Sequence, residues 1–180
     1  MVYVLLGTGF EETEAIAPID MLRRAGVQVK TVGLNGRVII GSHGIPVGAD
    51  IVPEEMDLSA MDMIVLPGGL GGVASILASN SAMDAIAYAH QNGRFVAAIC
   101  AAPTILAKLG ITADKQAVCY PGCEENMESA CMRTDVPCIR DGQVITGTSA
   151  GCAIAFGLAL VEALCGEAAA DRIAEQIVIR

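Results

Sequence analysis

Short uninterrupted apolar runs alternate along this chain with longer amphipathic ones, and that rhythm predicts most of its elements. Val2 to Leu6, Met63 to Leu66 and Phe95 to Ile99 are continuous apolar segments, as expected of strands in a parallel sheet covered on both faces. Gln28 to Val32 reads as a further strand. Between these runs the spacing becomes helical. Ala15, Ile16, Ile19 and Leu22 form one apolar face after Glu11, Glu12 and Glu14; Arg23 and Arg24 suit the negative helix end, and Gly26 stops it. Met83 to Asn92 predicts a helix closed by Gly93, with His90 in a structural role in its last turn. Ala101 to Pro103 begins another helix, whose apolar face is Ile105, Leu106 and Leu109; proline is tolerated in a first turn.

Gly33 to Val52 has a different texture. Its apolar pieces, Val38 to Ile40 and Ile45 to Val47, predict small β-ribbons. Ala117 to Cys119 reads as a short strand, and Cys138 to Arg140 with Val144 to Thr146 flank Asp141-Gly142, a hairpin signal. Gly147, Thr148 and Ser149 cap a long apolar helix from about Ala150 to Leu164, and a last amphipathic helix runs from Glu167 to about Ile177. Strands alternating with helices, plus one hairpin, predict a single-domain α/β sandwich over residues 1–180 with a mainly parallel sheet.

Candidate chemistry gathers where strands give way to helices. Cys100 directly follows Phe95 to Ile99. A side chain there is held in a tight turn above the sheet edge, near unpaired backbone N–H groups and the positive end of a helix dipole. Such a thiol is expected to ionise below the ordinary cysteine value of about 8.5, and the thiolate is the reactive species. Cys100 is therefore the candidate nucleophile; the competing reading is a buried cysteine acting as a small hydrophobe. Glu14 lies one turn into the helix leaving the first strand, so in an open parallel sheet it shares a crevice with Cys100. A desolvated carboxyl there stays protonated to higher pH and can bond a thiolate or shuttle a proton. The alternative is a solvated first-turn acid, which is how Glu11 and Glu12 read. The glycine run Pro67 to Gly72, PGGLGG, lacks the spacing and lysine of a phosphate loop. Gly69 N–H with Ala101 N–H fits an oxyanion site instead, against plain turn chemistry.

Composition narrows the functional classes. With 53% hydrophobic and only 17% charged residues, the chain has enough apolar surface for a large interior and an oligomer face. A net charge of −9 argues against nucleic acid and against an anionic membrane as partners. No apolar run reaches the length of a membrane helix, roughly eighteen residues. Seven cysteines form no even disulfide framework and point to a reducing cytoplasm. Cys119, Cys123, Cys131 and Cys138 match no zinc spacing, and only His43 and His90 could add imidazoles, so no metal is expected.

Together, EETEAIAPIDMLRRAG, VLPGG, AAICAAP, CYPG, GTSAG and the terminal helix pair resemble the ThiJ/PfpI family, in the branch of the Parkinson-disease-associated protein deglycase and its bacterial relatives, over essentially the full length. The resemblance implies a flavodoxin-like three-layer sandwich of the class I glutamine amidotransferase-like kind, usually a homodimer. It implies a reactive cysteine in a strained elbow, bonded to a protonated glutamate, roles that fall on Cys100 and Glu14. Asp20 matches an acidic residue near that site, and Gly69 and Ala101 match its backbone donors. The implied activity is a cofactor-independent glyoxalase or deglycase acting on 2-oxoaldehydes such as methylglyoxal, or on glycated substrates. An oxidative-stress sensor or chaperone using the same cysteine is the alternative. The chain departs from the family pattern at three positions: Tyr120 stands where many relatives carry histidine, and Ala150 and His43 where arginine is common. A protease or amidotransferase needs a base for its thiol; protease-like relatives put histidine directly after the cysteine, where this chain has Ala101.

Overall fold

The computed structural model describes residues 1–127 and 129–179. In chain order its elements are β1 (Val2–Leu6), α1 (Glu12–Arg24), β2 (Val29–Gly33), β3 (Val38–Ile40), β4 (Pro46–Gly48), β5 (Met63–Leu66), α2 (Leu70–Ala78) and α3 (Asn80–Gln91). There follow β6 (Phe95–Ile99), α4 (Pro103–Lys108), β7 (Gln116–Ala117), β8 (Cys131–Met132), β9 (Cys138–Asp141), β10 (Val144–Gly147), α5 (Ala153–Cys165) and α6 (Glu167–Gln176). Six strands form one sheet in the order β2-β1-β5-β6-β10-β9. All neighbours run parallel except β9, which returns antiparallel on β10 through the Asp141-Gly142 hairpin.

Alternation along each strand builds the two cores. Val2, Val4, Leu6, Met63, Val65, Ala97, Ile99 and Ile145 face α1, α5 and α6. Tyr3, Leu5, Ile64, Leu66, Val96, Ala98 and Val144 face α2, α3 and α4. Continuous apolar strands are thus what a doubly covered sheet requires, and the expected three-layer sandwich is the observed one. Among the described residues, no helix is long and apolar enough to cross a membrane.

Several boundaries differ from the sequence expectation. Residues 70–78 form helix α2, where the glycine run read as a loop. Gly71 and Gly72 disfavour helix intrinsically, yet α2's first turn packs so closely on the β1–α1 loop that a Cβ on Gly71 would lie 2.9 Å from Gly9 Cα, and one on Gly72 2.8 Å from Phe10 Cα. The third helix begins at Asn80, because the Ser79 hydroxyl accepts the Ala82 N–H. Residues 150–152 form a 3-10 turn ahead of α5. β7 pairs with β8 in a separate two-stranded ribbon.

Candidate active site

The carboxyl ends of β1, β5, β6 and β10 lie on one edge of the sheet, and the loops leaving them converge. Cys100 occupies the turn between β6 and α4 at φ 66°, a left-handed conformation that is strained for a side chain with a Cβ. Its backbone is pinned from both sides: its N–H donates to the Gly147 carbonyl at 2.9 Å, and its carbonyl accepts the Tyr120 N–H at 2.8 Å. The thiol is half-buried.

Glu14 comes from the first turn of α1 and is 1% exposed. Its Oε2 accepts the Gly68 N–H at 2.9 Å, and its carboxyl lies near the Cys100 thiol and the Ala150 N–H, both of which work to lower its pKa. The α1 start that carries it is fixed by Glu11, whose carboxylate accepts the Glu14 N–H at 2.7 Å and whose N–H donates to the Gly68 carbonyl at 3.0 Å. Gly68 fills the narrow gap between the pair: a Cβ there would lie 2.5 Å from Glu14 Oε2 and 2.6 Å from Cys100 Cβ. The Gly69 and Ala101 N–H groups lie near the Cys100 thiol and work to lower its pKa.

The ionisation of this pair corrects the sequence expectation. Burial pushes the Cys100 thiol up to about 12, and the charge and hydrogen bond of Glu14 add to that, outweighing the Gly69 and Ala101 N–H groups. Burial raises Glu14 to about 6, with Glu11's charge adding and with hydrogen bonds from the thiol, Gly68 and Ala150 opposing. Dipole and amides alone favour a thiolate; burial first, and then the carboxylate beside the sulfur, reverse the balance. Between about 6 and about 12 the pair therefore holds one proton and one negative charge. Glu14 and the thiol share that proton, and Glu14 is placed to receive it when sulfur attacks.

A cleft of about 260 Å³ opens over the sulfur, lined by Glu11, Gly69, Leu70, Cys100, Ala101, Tyr120 and Cys123. Tyr120 lines it while remaining 49% exposed. Asp20 is not among these residues: it sits further along α1 with its carboxylate on Arg24 at 2.7 Å. Neither His43 nor His90 lines the cleft.

Glu12 departs from its reading as a solvated first-turn acid. It is 7% exposed and accepts the His43 ring Nδ1 at 2.9 Å, the His43 N–H at 2.8 Å and the Ser42 hydroxyl at 3.1 Å. Burial works to raise its pKa, but the His43 ring, the His43 N–H and the other backbone donors hold it down at about 2. Among the described residues, Glu11, Glu12 and His43 are the one set close enough to share an ion, and Glu12's oxygens already hold the ribbon loop to α1.

Sequence reasoning singled out Cys100, Glu14, Gly69, Ala101 and Tyr120, and these five come together. It missed Gly68 and the Ala150 N–H as supports of Glu14, and Glu11, Leu70 and Cys123 as cleft walls. Gly68 had a signal in the glycine run after a buried strand; Cys123 lies in an aperiodic loop and had none.

Comparison with known proteins finds chains of related sequence and the same fold. The model of the DJ-1/PfpI family matches residues 1–163. Protein dj-1beta of Drosophila melanogaster is 34% identical over 178 residues, covering 98% of this chain and 95% of that protein. Its crystal structure superposes with a TM-score of 0.94 over 99% of this chain and 97% of that one. The Parkinson disease protein 7 homolog of Danio rerio is 31% identical over 98% of this chain and 96% of its own length. A deglycase of Pyrococcus abyssi is 31% identical over 72% of this chain and 77% of its own length.

Proposed function

The chain belongs to the DJ-1/PfpI family, and from that premise we propose that it is a cysteine-dependent, cofactor-independent glyoxalase or deglycase acting on small 2-oxoaldehydes or on the adducts they form with proteins. The observation that carries this reading is the Glu14–Cys100 pair, sharing one proton below a cleft that Gly69 and Ala101 also line. A relative named as a deglycase supports the same class of chemistry.

The steps follow from the pair's protonation. A 2-oxoaldehyde enters with its aldehyde carbon over sulfur and its substituent against Leu70 and Tyr120. Glu14 takes the thiol proton as sulfur attacks, giving a hemithioacetal oxygen that the Gly69 and Ala101 N–H groups hold. Glu14 passes that proton to the hemithioacetal oxygen and is again a carboxylate. It takes the proton from the former aldehyde carbon and delivers it to the neighbouring carbon through an enediol, the hydroxyl proton moving to the second oxygen, which leaves a thioester of the 2-hydroxy acid. Water cleaves the thioester and returns the proton to the pair. The net reaction adds one water and needs no external oxidant, reductant or cofactor. We further propose that the working form is a homodimer.

Lactate production from methylglyoxal by wild type, Cys100→Ser and Glu14→Gln tests the mechanism. Both variants are expected to lose at least about a hundredfold in kcat/KM, the usual scale for removing a nucleophile or its proton carrier. Equal turnover by either variant overturns it.

A further inference from the structure

Cys123 faces the same cleft as Cys100. Two hydrogen bonds tie its segment to the nucleophile's own backbone: Tyr120 N–H to the Cys100 carbonyl at 2.8 Å, and Cys123 N–H to the Tyr120 carbonyl at 2.9 Å. The Cys123 side chain packs against the apolar layer that Cys100 also touches, and against the small cluster of Ala117, Cys119 and Met127. Cys119 is 5% exposed and does not line the cleft, whereas Cys123 is half-buried and does.

We propose that Cys123 is a resolving thiol for Cys100: a hydroperoxide entering the cleft oxidises Cys100 to the sulfenic acid, which Cys123 converts to an intramolecular Cys100–Cys123 disulfide. In the first step the Cys100 sulfur attacks one peroxide oxygen, the O–O bond breaks, and the other oxygen leaves as an alcohol or water with the Cys100 proton. In the second, the Cys123 sulfur attacks the Cys100 sulfur, the S–O bond breaks, and the hydroxyl leaves as water with the Cys123 proton. One peroxide is reduced by two electrons and two thiols are oxidised.

The surroundings favour this outcome over a sulfinate. Glu11 is the one charged side chain among the cleft-lining residues, and Ala150 offers Glu14 only a backbone N–H. A sulfinate would add an anion to a cleft lined by Glu11 and by no cationic side chain; the disulfide is neutral. The order of attack also follows. Burial and the Glu124 and Glu125 carboxylates hold the proton on Cys123, whereas Cys100 has Glu14 on its sulfur to receive one.

This inference rests on Cys100 being the reactive sulfur of the proposed function, and not on turnover. Reduced wild-type protein, freed of reductant, is titrated with hydrogen peroxide, quenched in acid, alkylated and mapped by peptide mass spectrometry. A Cys100–Cys123 linked peptide that dithiothreitol reverses is expected from wild type and from Cys119→Ser, and none from Cys100→Ser. Cys123→Ser is expected to accumulate the two-oxygen Cys100 adduct about tenfold above wild type at equal peroxide. Sulfinate forming equally in wild type and Cys123→Ser, or cross-links confined to other cysteines, overturns the inference; the wild-type map depends on no variant folding. Methylglyoxal turnover on the same reduced wild type keeps the two ideas apart: turnover without the link overturns this inference alone, and the link without turnover overturns the proposed function alone.

Discussion

At the residue scale, the Glu14–Cys100 pair sets a pH dependence whose sign can be worked out. The folded value for Glu14, about 6, lies above its ordinary 4.5, so the folded state holds that proton more tightly than the unfolded chain. The resulting stabilisation is complete below about 4.5 and is lost as pH rises through about 6. Wild type should therefore lose stability relative to Glu14→Gln across that window in paired denaturant titrations; curves that stay parallel count against a buried, raised carboxyl. The same ionisation creates the base for the thiol, so kcat/KM should rise through an apparent pKa near about 6. Sequence position made both residues legible as candidates, because a strand end and a first helical turn on the same sheet edge open on one crevice. It could not give the direction of the thiol's shift. The helix start and its amides are visible in AAICAAP, but the opposing burial and charge arrive from α1, 86 residues earlier in the chain. Gly68 was hidden for a related reason: four glycines in PGGLGG look alike until one is found between a carboxylate and a sulfur.

Element by element, the apolar rhythm gave the strands closely and the helices less evenly. α2 was missed because glycines that would weaken an isolated helix are demanded by its approach to the β1–α1 loop, a tertiary requirement overriding propensity. The same kind of contact governs α1 and α5. Gly157 lets the two helices touch: a Cβ there would lie 2.8 Å from Met21 Cγ and 3.0 Å from Pro18 Cα. Met21 has a flexible side chain that can yield, but the Pro18 backbone cannot, so α1 itself must shift. Gly157→Val should cost on the order of 1–3 kcal/mol by overpacking. Since α1 also carries Glu14, it should lower kcat/KM more than a destabilised but undisplaced fold would. Denaturant midpoints and turnover measured below the unfolding transition check this; a variant with wild-type stability and rate would show that the α1–α5 contact is slack.

For the whole molecule, the strand order is what turns scattered motifs into one site. With β5 between β1 and β6, the Gly68–Gly69 turn necessarily lies between Glu14 and Cys100, an arrangement that no local pattern reveals. The outer surface poses a separate question. Ile16 on α1 is 44% exposed, and on the adjoining ribbon Val38 is 64%, Ile40 44% and Ile45 53% exposed. Glu12 ties that ribbon to the first turn of α1 through His43 and Ser42, so these apolar side chains occupy neighbouring elements held at a fixed spacing. A second copy covering this face would remove them from water and explain an apolar fraction above what one interior uses. Because the patch flanks the Glu11–Glu12 turn, pairing would also brace the start of α1 on which Glu14 rides. Sedimentation should therefore give twice the 18.5 kDa chain mass, with Val38→Glu plus Ile40→Glu shifting it to a single chain and weakening turnover. A single-chain species at all concentrations, with wild-type activity in the double variant, would mean that α1 is braced by its own fold alone.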